Sequence, residues 1–474
     1  MSTPGSMLAS QKSSGTSADN PSIRKVLVFI IVAMALLMTT IDATIVATAL
    51  HTLQQDLHTS IIWAGWTLTA YSFGFVIMLP VSGQLSQRYG NRRVFVVSVT
   101  TFTIASFCCG LASNIYLLIA LRVVQAIGGA GITPSVTGII VNHFGNSRDR
   151  AVSLFGSIFP LGAMIGPIFG GLFVTYWTWR GIFFINVPLG IAAVLLSLRY
   201  IPKDPPLTKN ASSHMDIKGI LFMATGILAA MFAASYIGEQ NGNPFSKLFI
   251  GLVLVATVAI IGFFRHIKKE KDPLIKPRLI YGRGFSAVNL INIIFSGMTI
   301  GIISLVPLYA TNRYGINPLN SGLILVSEGV AAVTLSTIAT FMLRRTGYRA
   351  PLYVGCSFLI IGMVLLIVTP IAGISPFAWL AISTFLIGVG VGTINPSCRN
   401  AGLQLAPEQS STIAALRSMA LQLGAIITIA IATAVLTGGN SAPHLHAMIN
   451  LAVAVVFLLA LPLISRIPEH KGSW

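Results

Sequence analysis

Apolar runs of about 20 residues, the length that crosses a bilayer as helix, follow one another along almost the whole chain. Short polar stretches rich in Lys and Arg separate them. The runs are continuous rather than alternating, which predicts helices and argues against a β-barrel. Lipid offers no hydrogen-bond partners, so each span must satisfy its own backbone, and an all-α membrane bundle follows. Fourteen spans are read, at 26–50, 62–82, 94–112, 115–141, 151–174, 182–201, 217–237, 248–264, 285–310, 321–343, 350–371, 376–396, 410–436 and 447–466.

The polar positions orient these spans. With the N-terminus in the cytoplasm, 25 of the 30 Lys and Arg residues fall on inner loops and tails, Arg399 among them. Three fall outside: Arg180, Lys247 and Arg313. Arg122 and Arg417 lie within spans. Such a bias predicts both termini cytoplasmic. Arg417 is near the inner end of its span and is expected to snorkel to that face. Trp63, Trp66, Trp177 and Trp179 fall near the outer surface and read as interface anchors. Residues 1–22 read as a disordered tail, and the first apolar run as a retained helix rather than a signal peptide.

Composition agrees. Hydrophobic residues make up 54% of the chain and charged ones only 9%, against about 25% charged in soluble domains. The net charge of +18 is topogenic in this setting and implies no nucleic-acid partner. Cys108, Cys109, Cys356 and Cys398 show no metal-ligand spacing. No nucleophile–base set, nucleotide loop or metal cluster appears, so neither an enzyme nor a cofactor is expected.

The chain also repeats itself. In "GQLSQRYGNR" (83–92) and "TFMLRRTGYR" (340–349), Arg88, Gly90 and Arg92 match Arg345, Gly347 and Arg349 at an offset of 257. "PSVTG" from Pro134 matches "PSCRN" from Pro396 at 262, as Gly162–Ala163 matches Gly424–Ala425. The offsets predict two six-helix halves, 23–202 and 283–467, with an inserted helix pair and its flanking loops at 203–282 and a cytoplasmic tail at 468–474. Internal repeats with a site at their interface mark transporters.

The chemistry concentrates in few residues. Asp42 is the only charge in the first span. Arg122 and Gln125 are three apart and share a helix face. An Arg inside a span costs about 2.5–3.5 kcal/mol unless it meets a partner or a cavity. At 1.5 Å per residue, Asp42, Arg122 and Glu328 all lie roughly 10–12 Å below the outer edge. Two acids and an Arg at one level, from both halves, predict a central polar cavity in which Asp42 and Glu328 alternate between proton and cation. Gly162, Gly166 and Gly170, spaced by four, put three glycines on one face for close helix contact, and Pro167 loosens the turn between them. Gly83 and Gly90 permit tight turns. Arg88, Arg92 and Arg93 are expected to reach helix ends or acids across the two halves.

These stretches resemble the major facilitator superfamily, and within it the fourteen-helix drug:proton antiporters of the EmrB/QacA type, with a pattern nearest their MdtD-like members. "GQLSQRYGNRR" is similar to the loop motif after the second helix, with Gln87 where an acid is usual. "LRVVQAIGGAG" (121–131) looks like the fourth-helix motif, and "GAMIGPIFGG" (162–171) like the antiporter motif. "IDATIVATAL" (41–50), "WRGIFFINVPLG" (179–190), "MDIKG" (215–219) and "DPLIKPRLI" (272–280) match the fourteen-helix group, His51 replacing its Pro. The resemblance implies a multi-pass protein of the inner or plasma membrane, conferring antibiotic resistance by exporting amphiphilic, cationic compounds against inward protons. Asp42, Arg122 and Glu328 would couple the proton, with Asp42, Gln125 and Glu328 binding substrate. Gly83, Arg88, Gly90, Arg92, Gly162, Gly166, Pro167 and Gly170 would gate. In a Gram-negative cell a periplasmic adaptor and outer-membrane channel would be partners. Two rivals remain: an exporter of an endogenous metabolite such as a siderophore or lipid, and a non-transporting sensor or scaffold.

Single cysteines placed at 83–93 and 265–283 are expected to resist an impermeant thiol reagent added outside the cell, while those at 238–247 react. Strong outside labelling of either of the first two would overturn the fourteen-span count.

Overall fold

The computed structural model describes residues 21–59, 61–204, 215–238, 245–316, 318–371, 373–437 and 443–469. Most of the expected tails, and parts of the loops at 203–216 and 238–247, lie outside the described residues. The N-terminal helices are α1 (Pro21–Thr48), α2 (Leu50–Asp56), α3 (Ile61–Tyr89), α4 (Asn91–Gly110), α5 (Ile115–His143), α6 (Arg148–Gly156), α7 (Ile158–Tyr176), α8 (Gly181–Phe184) and α9 (Asn186–Tyr200). Then come α10 (Ile217–Gly238), α11 (Lys247–Lys269) and the short α12 (Pro277–Tyr281). The C-terminal set is α13 (Phe285–Ile291), α14 (Thr299–Tyr314), α15 (Pro318–Thr346), α16 (Arg349–Ile367), α17 (Pro376–Leu405), α18 (Ser410–Thr437) and α19 (Pro443–Ala460). A π-helical turn, Asn292–Met298, joins α13 to α14.

Thirteen of the described helical stretches are long and apolar enough to cross a membrane, and Ile217–Ala233 of α10 is a shorter apolar helix. Helix starts follow local chemistry: Asn114 accepts from the N–H of Leu117, and Ser246 from that of Phe249, satisfying donors that the first turn leaves open. α11 turns Val253, Leu254, Val258 and Ile261 outward, as a helix at the lipid boundary does.

Two large apolar cores form. One joins Ile31, Phe102, Ile139 and Phe155 and extends to Met223 and Phe263 of the inserted pair. The other joins Ile291, Phe295, Tyr348, Leu359 and Phe457. α10 packs against α3 and α18, with the Trp66 ring 5.1 Å from that of Phe232.

The repeat seen in the sequence is a repeat of contacts. Gly90 (φ 95°) and Gly347 (φ 70°) both turn the chain with positive φ, which glycine adopts without steric cost. Behind them Arg92 Nη2 donates to the Leu198 carbonyl at 2.6 Å, and Arg349 Nε to that of Ile467 at 2.8 Å. The Asp204 carboxylate accepts from the N–H groups of Arg92 and Arg93, as Glu469 does from that of Tyr348. The motif arginines were expected to reach across the halves; they instead pin the sixth span of their own half. Arg88 lies over the adjacent Tyr89 ring at 5.4 Å.

The cross-half bonds come from other residues, at the end that carries these basic loops. Ser411 Oγ donates to Asn91 Oδ1 at 2.7 Å. Ser157 Oγ meets Ser336 Oγ at 3.0 Å, and Asn400 Nδ2 donates to Ser153 Oγ at 2.7 Å. A Cβ added to Gly83 would lie 3.0 Å from the Ala415 Cβ and 3.1 Å from the Thr412 Cα, so α3 and α18 meet there almost at backbone distance. The halves are locked together at this end.

The two stretches flanking the inserted pair are tied by one side chain. Asp216 accepts from the N–H of Gly219 at 2.8 Å and of Leu274 at 3.0 Å, and lies 2.7 Å from His266 Nε2. Burial opposes its ionisation, but these N–H groups and His266 outweigh burial and hold the carboxyl below its ordinary value. A depressed carboxylate contributes stability above its unfolded pKa and loses it as pH falls through the folded one. Acidification is therefore expected to lower the melting temperature of the wild type more than that of Asp216→Asn. Parallel acid profiles would show that this carboxylate contributes nothing.

Candidate functional site

Five N-terminal helical spans converge on Asp42. The carboxylate projects from α1 and is fully buried. Arg122 of α5 places Nη1 2.7 Å from Oδ2, both side chains being wholly inaccessible to solvent. Gln125, one turn on, donates from Nε2 to Oδ1 at 2.9 Å, and Asn186 at the start of α9 donates to the same oxygen at 2.9 Å. Gln125 Oε1 accepts from Arg122 Nη1 at 2.6 Å, while its Nε2 also donates to Ser106 Oγ of α4 at 2.7 Å. α3 completes the ring: the Thr67 carbonyl accepts from Arg122 Nε at 3.3 Å, and the guanidinium sits 4.1 Å from the Tyr71 ring centroid. The Phe183 ring of α8 lies 5.7 Å away. Arg122 Nη2 has no partner among the described residues.

The physics is that of a compensated charge. Either ion alone in this interior would cost several kcal/mol. The pair is tolerable because three donors saturate the carboxylate and a π-face covers the cation.

The sequence placed Asp42, Arg122 and Gln125 together, and the structure brings them into direct contact. It does not bring Glu328 to them. Glu328, on α15, is partly exposed, and its carboxylate has no hydrogen-bond or ion-pair partner among the described residues. A Cβ added to the next residue, Gly329, would lie 3.5 Å from the Met164 Cβ of α7, so this stretch of α15 faces the N-terminal half. Asn186, Ser106 and Tyr71 were not anticipated. Asn186 had a legible signal, a polar residue inside the "INVPLG" stretch.

The glycine stripe lies beside this cluster. Gly162, Gly166 and Gly170 of α7 face Thr40, Thr44 and Thr48 of α1, turn for turn. A Cβ on Gly166 would stand 3.1 Å from the Ile41 carbonyl, and one on Gly170 2.9 Å from that of Ile45; any side chain would prise the helices apart. Pro167 lies in the same helix, its side chain outside the described residues. At the matching place in the other half, Gly424 of α18 abuts Gly297 in the π-turn, its added Cβ 2.7 Å from the Gly297 Cα.

Three side chains sit elsewhere than expected. Trp179 is buried, not at an interface, and its ring N–H donates to Asp56 at 2.7 Å. Arg417 does not snorkel: it is 9% exposed and donates to Asn395 Oδ1 at 2.8 Å. Arg399, read as a loop residue, is buried within α17, which continues past Pro396 to Leu405.

The Major Facilitator Superfamily profile matches residues 32–429. The chain is 29% identical over 421 residues to the multidrug resistance protein B homolog of Mycobacterium tuberculosis (strain H37Rv), covering 85% of this chain and 75% of that protein. It is 30% identical to the putative multidrug resistance protein MdtD of Escherichia coli O6:H1, over 85% and 84% of the two chains. Among solved structures, the proton:xylose symporter XylE superposes with a TM-score of 0.67 at 14% identity, over 96% of this chain and 98% of that one.

Removing one charge strands the other, so Asp42→Asn is expected to cost about 3–5 kcal/mol. Arg122→Gln added to it should recover much of that loss. Melting of the purified variants measures this; a double variant less stable than Asp42→Asn would show that the two charges do not compensate each other.

Proposed function

Because the chain belongs to the major facilitator superfamily, we propose that it is a proton-driven exporter of amphiphilic, cationic compounds, working by alternate exposure of a site between its halves. The observation that carries the reading is the enclosed Asp42–Arg122–Gln125–Asn186 cluster. A proton on Asp42 cancels its charge and turns one acceptor oxygen into a donor. The donors on that oxygen, either Arg122 of α5 or Gln125 of α5 with Asn186 of α9, must then find other partners. Arg122 has Gln125 Oε1 and the Tyr71 ring already in reach. Protonation is thus a repacking event, which is what coupling to a rocking motion needs.

Helix α1 carries Asp42 and also holds the glycine stripe of α7. A shift of α1 on deprotonation would be passed directly to α7, and from its neighbour α6 to the cross-half bonds at Ser153 and Ser157. The turn at Gly90, with Arg92 behind it, keeps the N-terminal half rigid as this end opens, Gly83 lies at the close contact with α18 that must part, and Arg88 belongs to the same loop. In the closed state Asp42 and Gln125 are sealed from cargo, so Glu328, partly exposed and unpaired, is the charge first offered to a cation. The names of the relatives, both multidrug resistance proteins, support the cargo class. A protonmotive source and no bound cofactor are part of the same reading.

Inverted vesicles with an imposed pH gradient test it. Wild-type protein is expected to concentrate cationic dyes while the gradient lasts, and the charge-free double variant Asp42→Asn/Arg122→Gln to lose that transport while remaining folded. Dye movement that survives collapse of the gradient would end the proton-coupled reading. Glu328→Gln should weaken a dication more than a matched monocation, since only the dication gains from a second negative charge. Equal loss of both would make Glu328 a proton site instead.

A further inference from the structure

The C-terminal half buries two arginines with no acid. Arg399 and Arg417 are 7% and 9% exposed, and no carboxylate lies within ion-pair distance of either among the described residues. Arg399 donates to the Val152 carbonyl of the other half at 3.3 Å and lies 4.2 Å from the Phe155 ring centroid. Arg417 gives Nη2 to Asn395, but its Nε is buried without a partner. Both line one partly open cavity with Asn292, Cys398, Gly402 and Ile413. Asn292, whose unpartnered Oδ1 is an acceptor and so no ligand for an anion, begins the π-turn; such turns recur at functional sites.

An uncompensated buried guanidinium costs several kcal/mol, and two side by side cost more through mutual repulsion. Helix α17 supplies no acid at the adjoining positions, Ser397, Cys398 and Asn400 being neutral. The cavity leaves about 10 Å³ for the centre of a water-sized particle, room for about one small particle. A water would satisfy a donor but leave both charges standing. We propose that this cavity is a binding site for a small monovalent inorganic anion of halide size, held by Arg417 and Arg399 at the junction of α13, α17 and α18. The anion offsets one of the two charges at the locked end of the bundle, where Arg399 bridges the halves. This site lies outside the Asp42 cluster and does not depend on the cargo or on proton coupling.

Thermal unfolding of the purified full-length protein in chloride, bromide or gluconate at equal ionic strength tests it. Chloride and bromide are expected to raise the melting temperature saturably, and the bulkier gluconate not to. Arg417→Gln should abolish the response. Gly402→Ala should weaken it by filling the cavity: its added methyl meets Val288 and Ile413 at 3.4 and 3.5 Å, ordinary contacts, so this variant folds. If Arg417→Gln is not recovered folded, the wild type and Gly402→Ala decide alone. Equal melting of the wild type in all three salts, or a halide response unchanged in the variants, would overturn the proposal.

Discussion

The bond between Asp42 and Arg122 organises the N-terminal half. Among the described residues it is the one ion pair in which both side chains are completely withdrawn from solvent. Such a pair adds little net stability, because desolvation consumes most of the Coulomb attraction. What it adds is exactness of fit only when every remaining donor and acceptor is used. Gln125 from α5 itself, and Asn186, Ser106 and the Thr67 carbonyl from three further helices, meet that condition for all but Arg122 Nη2. Moving any one of these helices leaves a polar group stranded, so the half tends to move as a body or to switch between discrete arrangements. That property suits a superfamily whose halves rock against each other.

The second constraint is backbone proximity. α7 lies so close to α1, and α18 to the π-turn, that glycine is required on one side of each contact. The two contacts are related by the 262-residue repeat, and both involve the first and fifth spans of their half. Threonines opposite the α7 glycines turn their hydroxyls onto their own helix, as Thr44 Oγ1 does to the Ile41 carbonyl. The surface left is smooth and without cross-helix hydrogen bonds, so sliding breaks none.

Much of this was legible in the sequence because membranes make charge expensive. Asp42 and Arg122 could be paired by depth alone, and Gln125 by helical spacing. Ser106 and Asn186 were harder: small polar residues inside apolar runs cost little to insert and so carry little signal. Hydropathy could not separate Trp179, buried with its N–H on Asp56, from a true interface tryptophan. Asp204 and Glu469 escaped because capping acids sit wherever the chain returns, at no fixed distance from the loop they hold. Arg399 was misplaced for a physical reason. Proline removes a helix donor and commonly ends a span, so the twelfth span was stopped at Pro396. Pro134, its equivalent in the first half, was read correctly as interior to α5, and the repeat itself carried the information needed to extend α17.

The halves share a frame but not a chemistry. The position equivalent to Arg122 is Thr384, whose Oγ1 lies 2.8 Å from Ser327 Oγ, and the one equivalent to Gln125 is Ile387, in the apolar core. Hydroxyl and hydrocarbon replace the ion pair, and among the described residues no fully buried ion pair anchors the second half. Its charges stand apart instead: Glu328 partly exposed towards α7, and Arg399 and Arg417 buried near the locked end. A repeat that keeps the glycines and the interior prolines while exchanging the ions keeps the mechanics symmetric. It leaves internally compensated charge on one side of the interface and charge in need of a partner on the other. A charged ligand therefore gains more from the second half than from the first, whose Asp42 and Arg122 already compensate each other.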